Sequence, residues 1–322
     1  MDESKQSTDK SSTVSTAIII NGGAGRVICA IPALEKYIRN NPDKKTHVVI
    51  HGWDSLCWGN PLLQPITFNI SHKGIFDQIF KNSKVICPEP YYVRGYYNQQ
   101  LSMAEAFDQE INDTQDHSDL TKPNLYISKM ESNTIKDIIR RHKTEKNKSF
   151  SVVIQPYGSG MVMHNTKPFD TSNRSMDVDD YLKLIKTISK DCVIYYFGLP
   201  EFRHPLDDIS IDLSEFRPDL RMYMSLISEC DYFIGCDSVG QHMARAFDKP
   251  GLVLMGSTFE KNVSYPDHFT IFRKKDQKPW YNPIRFGGVD SDLTDRLNDG
   301  IMDFSNTEIE QIASTVVAEL SS

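Results

Sequence analysis

The chain is 322 residues long, enough for two domains of ordinary size, and carries a formal net charge of −7. It contains no run of 18 apolar residues, which excludes a membrane-spanning helix. The charge is uneven: 19 basic residues face 17 acidic ones through Lys148, and 17 face 26 from Ser149 on. The second half is therefore ill suited to holding a polyanion over a broad surface, while the first half is not excluded from doing so.

The opening segment MDESKQSTDKSSTVST is polar, lacks the apolar stretch of a signal peptide and reads as a disordered tail, residues 1–15. Residues Ala17–Asn21 (AIIIN) read as a buried strand, closed by the turn Gly22-Gly23-Ala24-Gly25. A helix follows, with Val27, Ile28, Ile31, Leu34 and Ile38 on one apolar face. Pro32 lies early in it, where proline is better tolerated than in the interior. Thr46–Ile50 is a second strand ending in His51-Gly52-Trp53-Asp54. The section from Ser55 to Gln100 is irregular and aromatic, with short strands near Thr67–Ile70 and Lys84–Cys87. Helices are expected at Ser102–Ile111 and Asn133–His142, with a strand at Asn124–Ile127 between them.

The charged stretch RRHKTEKNKS, Arg140–Ser149, separates two strand–helix series and reads as the boundary between a first Rossmann-like domain, 16–148, and a second, 149–304. The second series opens with the strand Phe150–Gln155 and the turn Pro156-Tyr157-Gly158-Ser159-Gly160. It continues with a helix at Asp179–Ser189, a strand at Val193–Phe197 and a helix at Leu220–Ser228. A strand at Phe269–Phe272 precedes an irregular stretch, and an amphipathic helix over 305–322 closes the chain, with Ser305 or Asn306 as N-cap and Glu308 placed for a capping box.

The most informative stretch is Asp231–Thr258 (DYFIGCDSVGQHMARAFDKPGLVLMGST), read as strand, turn, helix and strand. It places polar residues at the carboxyl end of both strands, the edge where open α/β sheets bind ligands, and the amino end of its helix offers N–H groups to phosphate. Asp237 and Ser238 also suit a plain helix N-cap, and His242 a packing role. The first turn, GGAGR, has neither dinucleotide-binding nor Walker A spacing. The six cysteines (Cys29, Cys57, Cys87, Cys192, Cys230 and Cys236) show no CxxC spacing, and several sit in or beside apolar runs. They read as reduced, buried thiols in a cytoplasmic protein, with no metal site expected.

The segment Met222–Thr258 resembles glycosyltransferase family 9, the ADP-heptose:lipopolysaccharide heptosyltransferase family of GT-B fold. Four other segments agree with that family in order: GGAGRVICAIPALEKYIRNNP, VVIQPYGSG, Tyr195–Glu201 and GIMDFSNTEIEQIASTVVAEL. Residues 55–125 match nothing in it. The resemblance implies an α/β protein of two Rossmann-like domains facing a central cleft. It implies a metal-independent inverting transferase with a nucleotide-diphosphate sugar as co-substrate and no other cofactor, the donor held by the second domain and the acceptor by the first. Ser238, Val239 and Gly240 would hold the diphosphate, Asp237 would accept from sugar or ribose hydroxyls, and His242 would lie by the phosphates or sugar. Ser159 and Gly160 form a second turn at the same edge. Arg174 would reach the phosphates, and Glu201 the nucleoside.

Two positions depart from the family. Its first-turn aspartate, the expected base, is Arg26 here, and a guanidinium does not act as a base in proteins. Asp54 then becomes the first candidate base, with His51 and Glu89 behind it, and Gly25 and Arg26 would instead meet the acceptor or a phosphate. Its third loop glycine is Val239, with Gly240 one place later. An envelope saccharide is the implied acceptor. A hydroxylated DNA base is the second class, motivated by Arg26 and the basic linker and opposed by the overall acidity. A non-catalytic protein that binds sugar nucleotides or glycans is the third reading. The aromatic tract Trp53, Trp58, Tyr91, Tyr92, Tyr96 and Tyr97 suits stacking on sugars or bases as well as packing.

Overall fold

A computed structural model describes residues 14–158, 160–164, 167–170, 172–198, 206, 209–212, 219–274 and 300–321. Two parallel sheets organise them. The first joins β1 (Ser15–Ile20), β2 (Thr46–Ile50), β3 (Thr67–Asn69) and β4 (Ser83–Ile86) in the order β3-β2-β1-β4. Alternation along β1 sends Ile18 and Ile20 to one face and Ala17 and Ile19 to the other. The first face is covered by α1 (Ala24–Asn40), which buries Val27, Ile28, Ile31 and Leu34. Each such side chain contributes about 1.5–3 kcal/mol by leaving water.

The second sheet runs β12-β11-β10-β5-β8-β9. Its strands are β5 (Phe150–Gln155), β8 (Cys192–Tyr196), β9 (Ser210–Asp212), β10 (Tyr232–Cys236), β11 (Gly251–Leu254) and β12 (Thr270–Phe272). Between β5 and β8 lies an antiparallel hairpin, β6 (Met161–His164) with β7 (Lys167–Asp170). Val153, Val193, Phe233 and Val253 share an apolar cluster with α1 of the first domain. That cluster also contains residues of α3 (Met103–Asn112), α4 (Lys129–Lys146), α6 (Leu220–Glu229) and α7 (Val239–Ala246). The opposite face of the sheet packs on α5 (Val178–Ile188) and the closing helix α9 (Asn306–Leu320), which carries the expected Ser305–Glu308 capping box.

Both sheets reverse direction beside their first strand. The first grows from β1 to β3 on one side and adds β4 on the other; the second grows from β5 to β9 and adds β10 on the other. A crevice opens at the carboxyl ends of the strands at such a reversal.

Several elements differ from their sequence expectation. The charged boundary is not a linker: through Lys146 it forms the last turns of α4, which starts on a Ser128–Glu131 capping box and stops at left-handed Asn147. Pro32 is the ninth residue of α1 and so lies in its interior, because the helix begins at Ala24. Residues Asn124–Ile127 form no strand; Asn124 instead donates its side-chain amide to Glu35 of α1 at 2.7 Å. Neither the hairpin nor the π-helical turn Phe76–Phe80 was expected. All six cysteines are free thiols, and Cys87 is exposed, unlike the other five. No helix among the described residues is long and apolar enough to cross a membrane.

Candidate active site

The two reversal points face each other across one cavity of about 430 Å³, lined by Gly22–Arg26, Trp53 and Tyr91 from one side and by Gln155, Arg174 and Asp237–Val239 from the other. The helices that begin at these crevices nearly touch. A Cβ added at Gly25 would lie 3.0 Å from His242 Cδ2 and 3.6 Å from Val239 Cα, so the missing side chain is what lets α1 and α7 approach.

The second-domain half is organised by Gln155, the last residue of β5. Its Oε1 accepts from Tyr223 Oη at 2.8 Å and from the Gly240 N–H at 2.9 Å. Its Nε2 donates to Ser238 Oγ at 2.8 Å. The Gly240 N–H, expected to hold a diphosphate, is therefore spent inside the protein. Ser238 keeps its hydroxyl proton for a ligand, since it only accepts from Gln155. Gly240 is also required sterically, because a Cβ there would lie 2.3 Å from Gln155 Oε1.

Arg174 lines the same cavity and stands on a built loop. Its Nε donates to Ser172 Oγ at 3.0 Å, and its Nη1 is 3.8 Å from Asp237 Oδ2. Asp170 fastens the loop by accepting from the backbone N–H groups and hydroxyls of Ser172 and Ser175. Burial alone would raise the Asp170 carboxyl; these donors outweigh it and hold the group below the usual carboxylate range. Asp237 accepts from Gln241 Nε2 at 3.2 Å. Gly160 does not line the cavity, and its lack of a side chain makes room for Asp170 and Ser172 instead. Ser159 and Glu201 lie outside the described residues.

His242 borders the cavity, with Nδ1 3.0 Å from Tyr265 Oη and 3.5 Å from Cys29 Sγ. Burial pushes its imidazole down to about 4, against a weaker upward pull from Asp237. At neutral pH it is uncharged, so it can offer or accept a hydrogen bond but cannot offset phosphate charge.

On the first-domain side, Arg26 lines the cavity but is already paired. Its Nη1 and Nη2 donate to the two Glu89 oxygens at 2.9 and 3.0 Å, and Nη2 also donates to Pro88 O at 3.2 Å. The guanidinium lies over the rings of Tyr91 and Phe107, 5.2 and 5.4 Å from their centroids. Asp54 does not line the cavity; its carboxylate accepts from Asn69 Nδ2 at 2.6 Å. His51 is exposed outside it. Of the aromatic tract, Trp53, Tyr91 and Tyr96 line the cavity, whereas Trp58 and Tyr92 are exposed on the surface. Sequence reasoning missed Gln155, Tyr157 and Tyr223. The available signal was a lone polar residue ending the buried run SVVI.

No protein-family model matches the sequence, and comparison with curated proteins finds no relative. Solved structures do match. A family 9 glycosyltransferase from Veillonella parvula has a TM-score of 0.65 at 12% identity, covering 95% of this chain and 98% of its own. The ADP-heptose LPS heptosyltransferase II of E. coli has a TM-score of 0.55 at 12% identity, covering 94% and 99%. The dodecameric iron-containing heptosyltransferase TibC, in complex with ADP-D-beta-D-heptose, has a TM-score of 0.55 at 11% identity, covering 96% and 78%.

The fold is GT-B.

The likeness to the first two spans nearly the whole of both chains, so it includes residues 55–125, which resemble nothing by sequence. In this GT-B chain the two sheets, their reversal points and the cavity between them form one unit.

Proposed function

We propose that the protein is an inverting glycosyltransferase that moves a sugar from a nucleotide-diphosphate sugar to a hydroxyl acceptor, without a metal ion. The observation that carries this reading is the pair of facing crevices, one of them furnished for an anion. A departing nucleoside diphosphate gains negative charge, and fixed donors around it lower the barrier. Arg174 supplies a cation beside the amino end of α7, where the helix dipole and the Ser238 hydroxyl add to it. His242 lies alongside as a neutral hydrogen-bonding group on the sugar. Asp237 is suited to accept from sugar hydroxyls. The acceptor enters from the first-domain side, and a saccharide of the cell envelope is the first class to try.

Binding tests the reading directly. Titrating ADP, GDP, UDP and ADP-heptose by calorimetry should give micromolar affinity for at least one. Arg174→Ala should weaken it at least tenfold and Ser238→Ala about threefold, with melting temperatures little changed. If none of the four binds to the wild-type protein, the donor site does not exist as described.

A further inference from the structure

We infer that Thr258 is a further donor to the nucleoside diphosphate, its hydroxyl bonding the phosphate that carries the sugar, on the flank of the cavity away from the nucleoside. The inference rests on the glycosyl-transfer reading and adds to it a residue outside the Asp237–Val239 turn and the Arg174 loop. Thr258 lines the cavity and is 3% exposed, yet its Oγ1 has no hydrogen-bond partner among the described residues. A hydroxyl shut away without a partner costs free energy, and a ligand oxygen arriving in the cavity removes that cost.

The turn that carries Thr258 is fastened on both sides. Arg273, which lies outside the cavity wall, donates from Nη1 to Gly256 O and from Nη2 to Thr258 O, the latter at 2.8 Å. The Thr258 carbonyl is thereby turned away from the cavity, which leaves the side chain to face it. On its other side the turn is tied to the loop of Arg174. Ser257 donates its N–H to Asn173 O at 3.2 Å and its hydroxyl to Ser172 O at 2.7 Å. Ser172 Oγ in turn accepts from Arg174 Nε at 3.0 Å. Gly256 makes this approach possible, because a Cβ there would lie 2.1 Å from Asn173 O. Thr258 and Arg174 thus belong to one bonded unit, and both line the cavity.

Strand order says which phosphate it meets. At this edge the strands run β11-β10-β5-β8, each about 4.8 Å from the next. Past β8 lie Phe197 and Gly198, with Leu220 and Tyr223 from the start of α6, an uncharged and largely apolar flank that suits a base. Past β10 lie Asp237 and Ser238, and past β11 lies Thr258. A nucleoside diphosphate laid along the edge with its base at β8 brings its first phosphate to Ser238 and its second toward β11, where Thr258 stands. Charge collects on that second phosphate as the sugar departs, and a fixed donor there lowers the barrier. Among the described residues, Arg174 is the one cation that the second domain gives to the cavity wall, and Asp237, 3.8 Å away, offsets part of its charge. Two phosphates therefore need hydroxyl donors beside it.

Calorimetry on the full chain with the mono- and diphosphates of adenosine, guanosine and uridine tests this. Thr258→Val removes the hydroxyl at nearly constant shape. It should weaken the diphosphate that binds the wild type by about fivefold or more and leave the matching monophosphate within twofold. Thr258→Ser, which keeps a hydroxyl, should stay within threefold of wild type for both. Without ligand, Thr258→Val should melt no lower than the wild type, because the hydroxyl it removes bonds nothing in the protein. An unchanged diphosphate affinity in Thr258→Val overturns the inference and leaves the donor site standing. Equal losses for mono- and diphosphate would move the residue to the nucleoside and overturn it as well. So would a lower melting temperature without ligand, which would give the hydroxyl a partner within the fold. Failure of every diphosphate to bind the wild type would instead remove the donor site and the role of Thr258 together.

Discussion

His242 titrates far below its ordinary range because almost no water reaches it and its neighbours carry little compensating charge. Tyr265 and the Cys29 thiol, itself pushed up to about 12 by burial, are both neutral at pH 7, and Asp237 opposes the effect only in part. The sign follows from the direction. An imidazole near 6.5 when unfolded and about 4 when folded binds more protons in the unfolded chain between those values. The stability it confers is fully present above about pH 6.5 and is lost as pH falls toward 4, by about 3 kcal/mol at the lower end. His242→Asn keeps a polar side chain without a titrating ring. Its melting temperature should therefore fall less than that of the wild type between pH 7 and pH 4.5, measured by calorimetry at fixed ionic strength. Equal slopes would mean that the ring is solvated in solution. The same site shows what a sequence can disclose at this scale. Asp237, Ser238 and His242 were legible because a polar pair ending an apolar strand and a histidine one turn later share one local motif. Gln155 was not, and Glu89 was a candidate only without its pairing to Arg26, because the partners lie 83 and 63 residues away in sequence. Such pairings are set by strand order, which local pattern does not contain.

Helices with buried stripes, such as α1, α5 and α7, could be read from spacing alone, since burial repeats every three to four residues. The helix α4 shows the limit of that approach. Among its 18 residues only Ile135 and Ile139 are buried, so its charged final turns carry no apolar signal and resemble a linker. What holds it is local chemistry at its ends. Ser128 Oγ accepts from the Glu131 N–H at 3.1 Å, and Glu131 Oε2 accepts from the Ser128 N–H at 2.7 Å. Ser128→Ala should destabilise the protein by about 1 kcal/mol, as loss of an N-cap does elsewhere. Urea denaturation monitored by circular dichroism checks this; a change below 0.3 kcal/mol, roughly the scale of an ordinary surface substitution, would show that packing alone sustains the first turn. The hairpin β6–β7 stayed hidden for a different reason. Strands of four residues each have too short a period to stand out from a loop.

At the scale of the whole molecule, the domains are joined by more than the chain. A single apolar cluster runs from α1 into α6 and α7, and polar ties reinforce it at the rim. Asn262 donates to Tyr96 O and Leu101 O, both at 2.8 Å, and Lys122 pairs with Asp248. The tie at Arg221 is the most connected. On α6, its Nε and Nη2 donate to the Glu131 oxygens at 2.8 and 2.7 Å, while Nη1 reaches Ser55 O and Trp58 O at 3.4 and 3.3 Å. It thus binds the start of α4 and a first-domain loop to the second domain. The hydrogen bonds from Arg221 lower the Glu131 carboxyl to about 2, so the pair persists above the unfolded value near 4.5 and weakens as pH falls toward 2. Solvent screening keeps its own stability contribution small, on the order of 1 kcal/mol. Its larger effect falls on domain geometry, because closure around a ligand is a balance of a few such contacts. Arg221→Ala should leave the melting temperature nearly unchanged, enlarge the radius of gyration seen by small-angle scattering without ligand, and weaken nucleotide binding several-fold. Arg221→Lys, which retains charge but cannot span both Glu131 oxygens and the two carbonyls, should behave nearly as the alanine variant does. An unchanged radius in both variants would show that the apolar cluster between α1 and α7 holds the cleft by itself.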